Sequence, residues 1–187
     1  IRLADGLCGI QKDDVDTVTI CGMGGKLMKD IIEAGKDRLS NGMQLILSPQ
    51  SEVREFRAYL LENGIDILSE MMIKDEGKYY FIMDCVYHDM AEGAVYNNNT
   101  HLQGKNAAEY TEEELRYGRY LIDNHSEVLK EYLDKEYGSF ISIQKSLKEQ
   151  NVKKPSAAIE KRLQELEADI EYNRKAELSC CAQDAQK

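Results

Sequence analysis

The sequence predicts an α/β fold: a mostly parallel sheet finished by an antiparallel hairpin, followed by a region built of helices alone. Three observations predict it. Over the first half, short apolar or β-branched runs alternate with segments of helical periodicity, the rhythm of a parallel sheet with crossover helices. At Asp75-Glu76-Gly77 two strand-like runs meet across a turn signal, which makes them antiparallel neighbours. Beyond about residue 105 the apolar residues recur only at steps of three and four.

The elements follow in order. Ile1 to Ala4 is a short apolar stretch that ends at Asp5-Gly6, and the chain reads as a domain entered partway. Residues Asp16 to Cys21 are β-branched and stop at a glycine cluster. Leu27 to Ala34 is helical, with Leu27, Met28, Ile31 and Ile32 on one face. Asn41-Gly42 marks a turn, and Met43 to Leu47 is a buried strand that stops at Ser48-Pro49. Glu52 to Asn63 is a helix with Val53, Phe56, Tyr59 and Leu60 inward and Asn63-Gly64 as its stop. Ile65 to Lys74 and Lys78 to Tyr87 are the hairpin strands.

Residues 89–104 read as a polar connector. Thr111 to Glu114 is a capping box opening a helix that runs to about Glu136. A second helix spans about Ser139 to Gln150, and a third starts at Pro155-Ser156. In the third, Ile159, Leu163, Leu166, Ile170 and Asn173 form a heptad stripe, which suggests an antiparallel coiled-coil hairpin. Extra helical cover for the sheet is the plainer alternative. The tail from Ser179 on reads as frayed. The implied domains are residues 1–90 for the sheet and 105–187 for the helical appendage.

The 187 residues fit one ordinary domain, or a truncated domain with an appendage. Hydrophobic residues make up 42%, enough for a core, and no apolar run approaches the ~18 residues of a membrane span. The first residues carry no charged n-region with an apolar h-region behind it. Cys8, Cys21, Cys85, Cys180 and Cys181 form no C-x-x-C spacing, so no metal site is expected, and they read as reduced thiols of a cytoplasmic protein. A net charge of −10 argues against gripping nucleic acid by bulk attraction, though not against a local basic patch.

Three stretches carry the chemistry. In Val15 to Gly25 a strand ends and Gly22-Met23-Gly24-Gly25 leads into a helix. Glycines there let backbone approach a ligand at the carboxyl end of a parallel strand. The dinucleotide fingerprint fails, because its third glycine is Leu27 and its acidic residue is Ser48. The P-loop fails too, because position 20 is Ile and Lys26 is followed by Leu27. Asp5 beside Gly6 is placed to accept a hydrogen bond from an exocyclic amine, or simply makes a turn. Ser48-Pro49-Gln50 could hold a flat base edge through its amide, or be a helix entry with Pro49 near the first turn.

Together, in this order, these stretches resemble the bacterial tRNA (adenine-22-N1)-methyltransferase family. The shared pattern is R-x-x-D-G-L at Arg2 to Leu7, G-M-G-G at Gly22 to Gly25, L-I-L-x-P-[NQ] at Leu45 to Gln50 with Arg54 and Arg57, and E-x-x-x-x-[DE]-x-G-K-x-Y at Glu70 to Tyr80. The resemblance covers about residues 1 to 88, and the helical tail matches that family's coiled-coil appendage in kind. It implies a Rossmann-like class I methyltransferase sheet that uses S-adenosylmethionine. Asp5, Gly6 and Leu7 with Gly22 and Met23 would bind that cofactor, the last two as the wall between cofactor and target base. Gly24, Gly25, Pro49 and Gln50 would lie near the substrate base. Gln50 stands where the family usually has Asn, and Cys21 where it usually has Ala. The resemblance further implies two βα units upstream of residue 1, of roughly 30 residues each. The acidic catalytic residue belongs to that part, so the catalytic residue is unassigned within this sequence.

Charge is distributed in keeping with this. Ser139 to Lys175 holds eight Lys and Arg against six Asp and Glu, while the remainder holds an excess of twelve acids. Lys145, Lys148, Lys153 and Lys154, with Lys161 and Arg162 beyond them, are the candidate tRNA contacts; a solvated helix face is the plainer reading of each. The expected assembly is a monomer or weak dimer. The rival readings are a methyltransferase for a small molecule or protein, a non-catalytic interaction protein on the same fold, and a dehydrogenase fragment.

Overall fold

A computed structural model describes residues 2–89 and 109–182. The chain divides into two compact units, Ile1–Thr111 and Glu112–Lys187.

The first unit runs β1 (Thr17–Met23), α1 (Gly25–Ala34), β2 (Gln44–Pro49), α2 (Val53–Glu62), β3 (Ile65–Asp75) and β4 (Lys78–Tyr87), with short 3-10 turns at Gly6–Gly9 and Lys36–Arg38. The sheet order is β1-β2-β4-β3. β1 and β2 are parallel, from Thr17 opposite Gln44 to Met23 opposite Pro49. β4 lies antiparallel to both β2 and β3. The sequence predicts a mostly parallel sheet finished by an antiparallel hairpin; in the structure the hairpin's second strand, β4, inserts between β2 and β3. The hairpin turn explains the tight return: Glu76 and Gly77 both have positive φ, 45° and 78°, the geometry of a two-residue turn matched to strand twist.

Residues 2–4 form no strand. The chain instead enters the 3-10 turn at Gly6, whose φ is 51°. The sheet buries one face, with Val18, Ile20, Leu45, Leu47, Met83 and Cys85 alternating inward. Met28 and Ile32 of α1 and Phe56, Tyr59 and Leu60 of α2 are buried as their spacing predicts. Leu27 is not: it is 52% exposed. Gly64, at φ 74°, follows the end of α2 as a left-handed stop.

The core also holds an ion pair. Arg57 Nε lies 2.7 Å from Glu70 Oε1, with the side chains 0% and 1% exposed. The guanidinium also stacks over Phe81, 5.0 Å from the ring centre. α2 is thus tied to both strands of the hairpin. β4 pairs with β2 only over residues 83–86, so residues 70–82 of the hairpin extend past Leu47 toward the carboxyl ends of β1 and β2.

The second unit comprises α3 (Glu112–Tyr117), α4 (Arg119–Asp123), α5 (Glu127–Lys153) and α6 (Ala157–Cys181). The single helix predicted from Thr111 to about Glu136 is broken twice. Gly118 adopts φ 94°, and His125 adopts φ 52° ahead of the cap of α5, where Ser126 Oγ accepts from the Leu129 amide. Conversely, Gly138 does not interrupt α5, so the predicted second helix is the continuation of the first. α6 extends through Ser179 to Cys181, and Cys180 is fully buried, so that part of the tail is not frayed. The remaining tail beyond Ala182 and the connector beyond Asp89 lie outside the described residues.

α5 and α6 pack on each other, with Leu129, Leu133, Leu166, Asn173, Ala176 and Cys180 buried. Their polar centre is Glu136. Its carboxylate accepts from Tyr117 at 2.7 Å, Tyr132 at 2.9 Å and Asn173 at 3.1 Å. Burial and then the charge of Glu136 hold the Tyr117 phenol far above its ordinary value. Among the described residues no helix is long and apolar enough to cross a membrane.

Truncating Glu70 to Ala would remove the carboxylate that faces the buried guanidinium, at a cost of about 3–5 kcal/mol. The check is the urea midpoint of the variant, and an unchanged midpoint would contradict the buried pair. Burial raises the Asp66 carboxyl, against a weaker opposing pull from His88, 3.2 Å away. A carboxyl raised on folding favours the fold at low pH and costs stability as pH climbs through its folded value. Asp66→Asn should therefore be more stable than the parent at pH 7. The gain should fade toward about pH 4, where the unfolded carboxyl is itself half protonated.

Candidate functional site

The glycine run and the Pro-Gln segment meet at the carboxyl ends of two adjacent parallel strands, the usual ligand side of an open α/β sheet. The register slips between Cys21 and Met23, where Gly22 takes φ 78°. An L side chain is strained there, while a Cβ on Gly22 would meet no atom within 4 Å. Gly22 therefore turns bare backbone toward open space. Met23 beside it is 36% exposed.

Gly24 and Gly25 have a different reason to be glycine. A Cβ on Gly24 would sit 2.7 Å from Ser51 Oγ, and one on Gly25 would sit 2.9 Å from the carbonyl oxygens of both Ser51 and Glu52. The two loops touch backbone to backbone. The Gly25 amide donates to Ser51 O at 2.9 Å, and the Gln50 amide donates to Met23 O at 2.8 Å. Pro49 closes β2 as a strand residue opposite Met23 and is not in the first turn of a helix. Glu52, at φ 50°, is the N-cap position of α2. Its carboxylate accepts from Ser51 Oγ at 2.8 Å and, more weakly, from the Lys26 amide at 3.4 Å. Gln50 is exposed, and its side-chain amide has no hydrogen-bond partner among the described residues.

Asp5, Gly6 and Leu7 lie elsewhere on α1. A Cβ on Gly6 would be 3.1 Å from Ile31, and one on Gly35 would meet Leu7 at 2.5 Å. They therefore pack on the C-terminal half of α1, whereas Gly22 and Met23 lie before its first residue. At 1.5 Å of rise per residue, the helix puts roughly 9 Å between Gly25 and Ile31. The structure brings Gly22–Gly25 together with Pro49–Gln50, and does not bring Asp5–Leu7 beside them. The Asp5 side chain is exposed and makes no capping bond.

A larger cleft, about 600 Å³, lies at the amino ends of β1 and β2, lined by Asp13, Asp14, Asp16, Ser40 and Asn41 among others. It is acidic and sits at the wrong end of the strands for the crevice rule. A second cleft, about 280 Å³, opens between α1 and α2 beside Gly25 and Glu52. Sequence reasoning does not find it, because Lys26, Lys29 and Glu55 read as ordinary surface charges. Among the described residues no cluster of His, Cys, Asp and Glu could hold a metal ion. Lys145, Lys148, Lys153 and Lys154 are all exposed, on the distal half of α5 and at its C-cap.

Compared with known proteins, residues 1–168 match the family model described as tRNA (adenine(22)-N(1))-methyltransferase. The chain belongs to that family. The match runs through the glycine loop and both units. The curated tRNA (adenine(22)-N(1))-methyltransferase of Bacillus subtilis is 37% identical over 83 residues, which are 44% of this chain and 35% of that protein. The chain thus matches about a third of that relative's length. The crystal structure of the B. subtilis M1A22 tRNA methyltransferase superposes with a TM-score of 0.72 at 25% identity, over 93% of this chain and 68% of that one. A Streptococcus agalactiae protein of the NADB-Rossmann superfamily superposes at 0.72 with 26% identity, over 94% and 66% of the two chains. A Streptococcus pneumoniae structure solved in complex with S-adenosyl-L-methionine superposes at 0.71 with 24% identity, over 94% and 67%. The α/β fold of this chain, with a mixed four-stranded sheet and a helical C-terminal unit, thus superposes on members of the family over most of its length.

Two alanine substitutions separate the roles of the glycines. Gly22→Ala should cost about 1–2 kcal/mol of backbone strain without moving the loops. Gly25→Ala must push α1 off the Ser51–Glu52 backbone and should lower the melting temperature further. Equal melting temperatures for the two variants would contradict the close apposition.

Proposed function

We propose that this protein transfers a methyl group from S-adenosylmethionine to N1 of adenine 22 in tRNA, as a cytoplasmic enzyme. The observation that carries the proposal is the family match over residues 1–168, which includes the Gly22–Gly25 and Pro49–Gln50 loops. In this reading residues 1–90 are the C-terminal part of a Rossmann-like class I methyltransferase domain. Residues 105–187 are its appendage, with α5 and α6 as an antiparallel coiled coil.

The strand-end loops suit the chemistry. S-adenosylmethionine, when bound, supplies a methyl group already electrophilic on its sulfonium. What remains is alignment of the adenine N1 lone pair with it, and alignment can account for a large part of a barrier. Gly22 presents backbone with no side chain in the way, and Met23 forms an apolar wall beside it. An unpartnered amide such as Gln50 can bond N6 and N7 of adenine, which leaves N1 uncovered. The exposed Asp5 carboxylate suits the cofactor's adenine amine, and Gly6 and Leu7 hold its turn against α1. Lys145, Lys148, Lys153 and Lys154 would neutralise tRNA phosphates, on a chain whose remaining surface is acidic.

The direct test is incorporation of labelled methyl from S-adenosylmethionine into unmodified tRNA, with an adenine-22 substitution as control. Incorporation that disappears with the substitution is expected. Cofactor binding without transfer to any tRNA would overturn the substrate. Reversing Lys145, Lys148, Lys153 and Lys154 to Glu should raise KM for tRNA. The slope of log affinity against log salt should flatten by about one for each phosphate no longer neutralised. An unchanged salt slope would remove these lysines from the interface.

A further inference from the structure

The cleft between α1 and α2 is not used by the reaction as described above. Its walls are Lys26 and Lys29 on one side and Glu55 on the other, over Phe56 and Tyr59. The two rings stack at 6.3 Å between centres and 22° between planes. The Lys29 ammonium lies 5.1 Å from the centre of the Tyr59 ring. Lys26 and Glu55 are exposed and form no ion pair among the described residues. Glu52, the remaining charged group, is already engaged with Ser51 and the Lys26 amide. Gly25 and Glu52, whose backbones approach each other closely, both line the cleft, so it adjoins the strand-end loops.

We propose that this cleft is a second nucleotide subsite, which takes one unstacked base of the RNA next to the base being methylated. The proposal rests on the RNA-methyltransferase reading. A volume of about 280 Å³ is at the low end for small-ligand sites, room for one ring system and not for a paired stem. Its floor is apolar, with Phe56 and Tyr59 only 2% and 5% exposed, so it would shield an inserted base from water rather than offer an open ring face to stack on. The two lysines on α1 suit the phosphate that comes with it, and the Glu55 carboxylate suits an exocyclic amine, which favours cytosine, adenine or guanine over uracil. Extracting a base from folded RNA costs stacking energy. A neighbour held in its own slot keeps the strand open while the target base occupies the Gly22–Gln50 loops.

The test is a kinetic comparison of the full-length protein with its Lys26→Glu/Lys29→Glu variant. Both positions are exposed, so the variant keeps the fold, and circular dichroism checks this. KM for unmodified tRNA should rise roughly tenfold, the scale expected when two phosphates go unneutralised, with kcat and cofactor affinity little changed. Lys12→Glu, at the amino end of β1, controls for the loss of charge and should leave KM as it is. A photo-crosslinking residue at Lys29 should label an unpaired nucleotide within a few positions of the methylated adenine. A Lys26/Lys29 variant no worse than Lys12→Glu, or a crosslink confined to a remote stem, would overturn the subsite while leaving the methyltransferase reading in place. If the parent protein neither binds nor methylates tRNA, both fall together.

Discussion

The contact between the Gly24-Gly25 backbone and the Ser51-Glu52 backbone is the constraint on which the site depends. It sets where α1 and α2 begin, because the Gly25 amide is spent on Ser51 O and the Gln50 amide on Met23 O. Each bond contributes only about 1 kcal/mol net. Their importance is geometric. They join the ends of β1 and β2 so that Gly22, Met23, Pro49 and Gln50 share one rim, and they leave Gly22 as the bare position in it. No side chain larger than hydrogen fits at Gly25 without parting the loops, whereas at Gly24 only the ends of the Ser51 and Glu52 side chains would have to give.

That rim needs α2 to stay in place, and the Arg57–Glu70 pair supplies the anchor. A fully buried ion pair is a poor source of net stability, but losing either charge is costly because the other is left buried. It ties α2 to β3, and through Phe81 to β4, the strand that inserts beside β2. In the helical unit Glu136 has a similar place. Three donors from three helices converge on one carboxylate near the base of the α5–α6 pair, and no residue between Leu133 and Leu166 is buried. Buried packing is concentrated at the base, while the distal half of the pair presents its lysines to solvent.

Much of this architecture is legible in the sequence, for physical reasons that also mark where legibility ends. The hairpin can be read because Glu76-Gly77 satisfies a turn that demands two positive φ angles. The α2 stop can be read because Gly64 alone is cheap in the left-handed region. The insertion of β4 between β2 and β3 cannot, because pairing partners depend on tertiary register. Arg57 and Glu70 stand in the sequence only as positions of the family pattern; their pairing is not legible, because charged residues are rarely buried unless paired and these lie thirteen positions apart in the chain. The breaks at Gly118 and His125 are missed because the apolar spacing continues across them. Gly138 misleads in the other direction: a helix interior tolerates one glycine for about 1 kcal/mol, and α5 is 27 residues long. For the site, the need for bare backbone at Gly22–Gly25 is legible, but the surface that Gly24 and Gly25 approach is not. The sequence also groups Asp5–Leu7 with Gly22–Met23, two segments that the structure sets at different levels of α1.

Cofactor and base are proposed to meet on the rim formed by Gly22–Gly25 and Pro49–Gln50. Hydrogen–deuterium exchange of the full-length protein, alone and with S-adenosylhomocysteine and unmodified tRNA together, tests it most directly. New protection is expected at the amides from Gly22 to Gly25 and from Gln50 to Val53. Protection that leaves those amides unchanged and falls on Asp13–Thr17 and Ser40–Met43, the acidic cleft at the opposite ends of the strands, would contradict it.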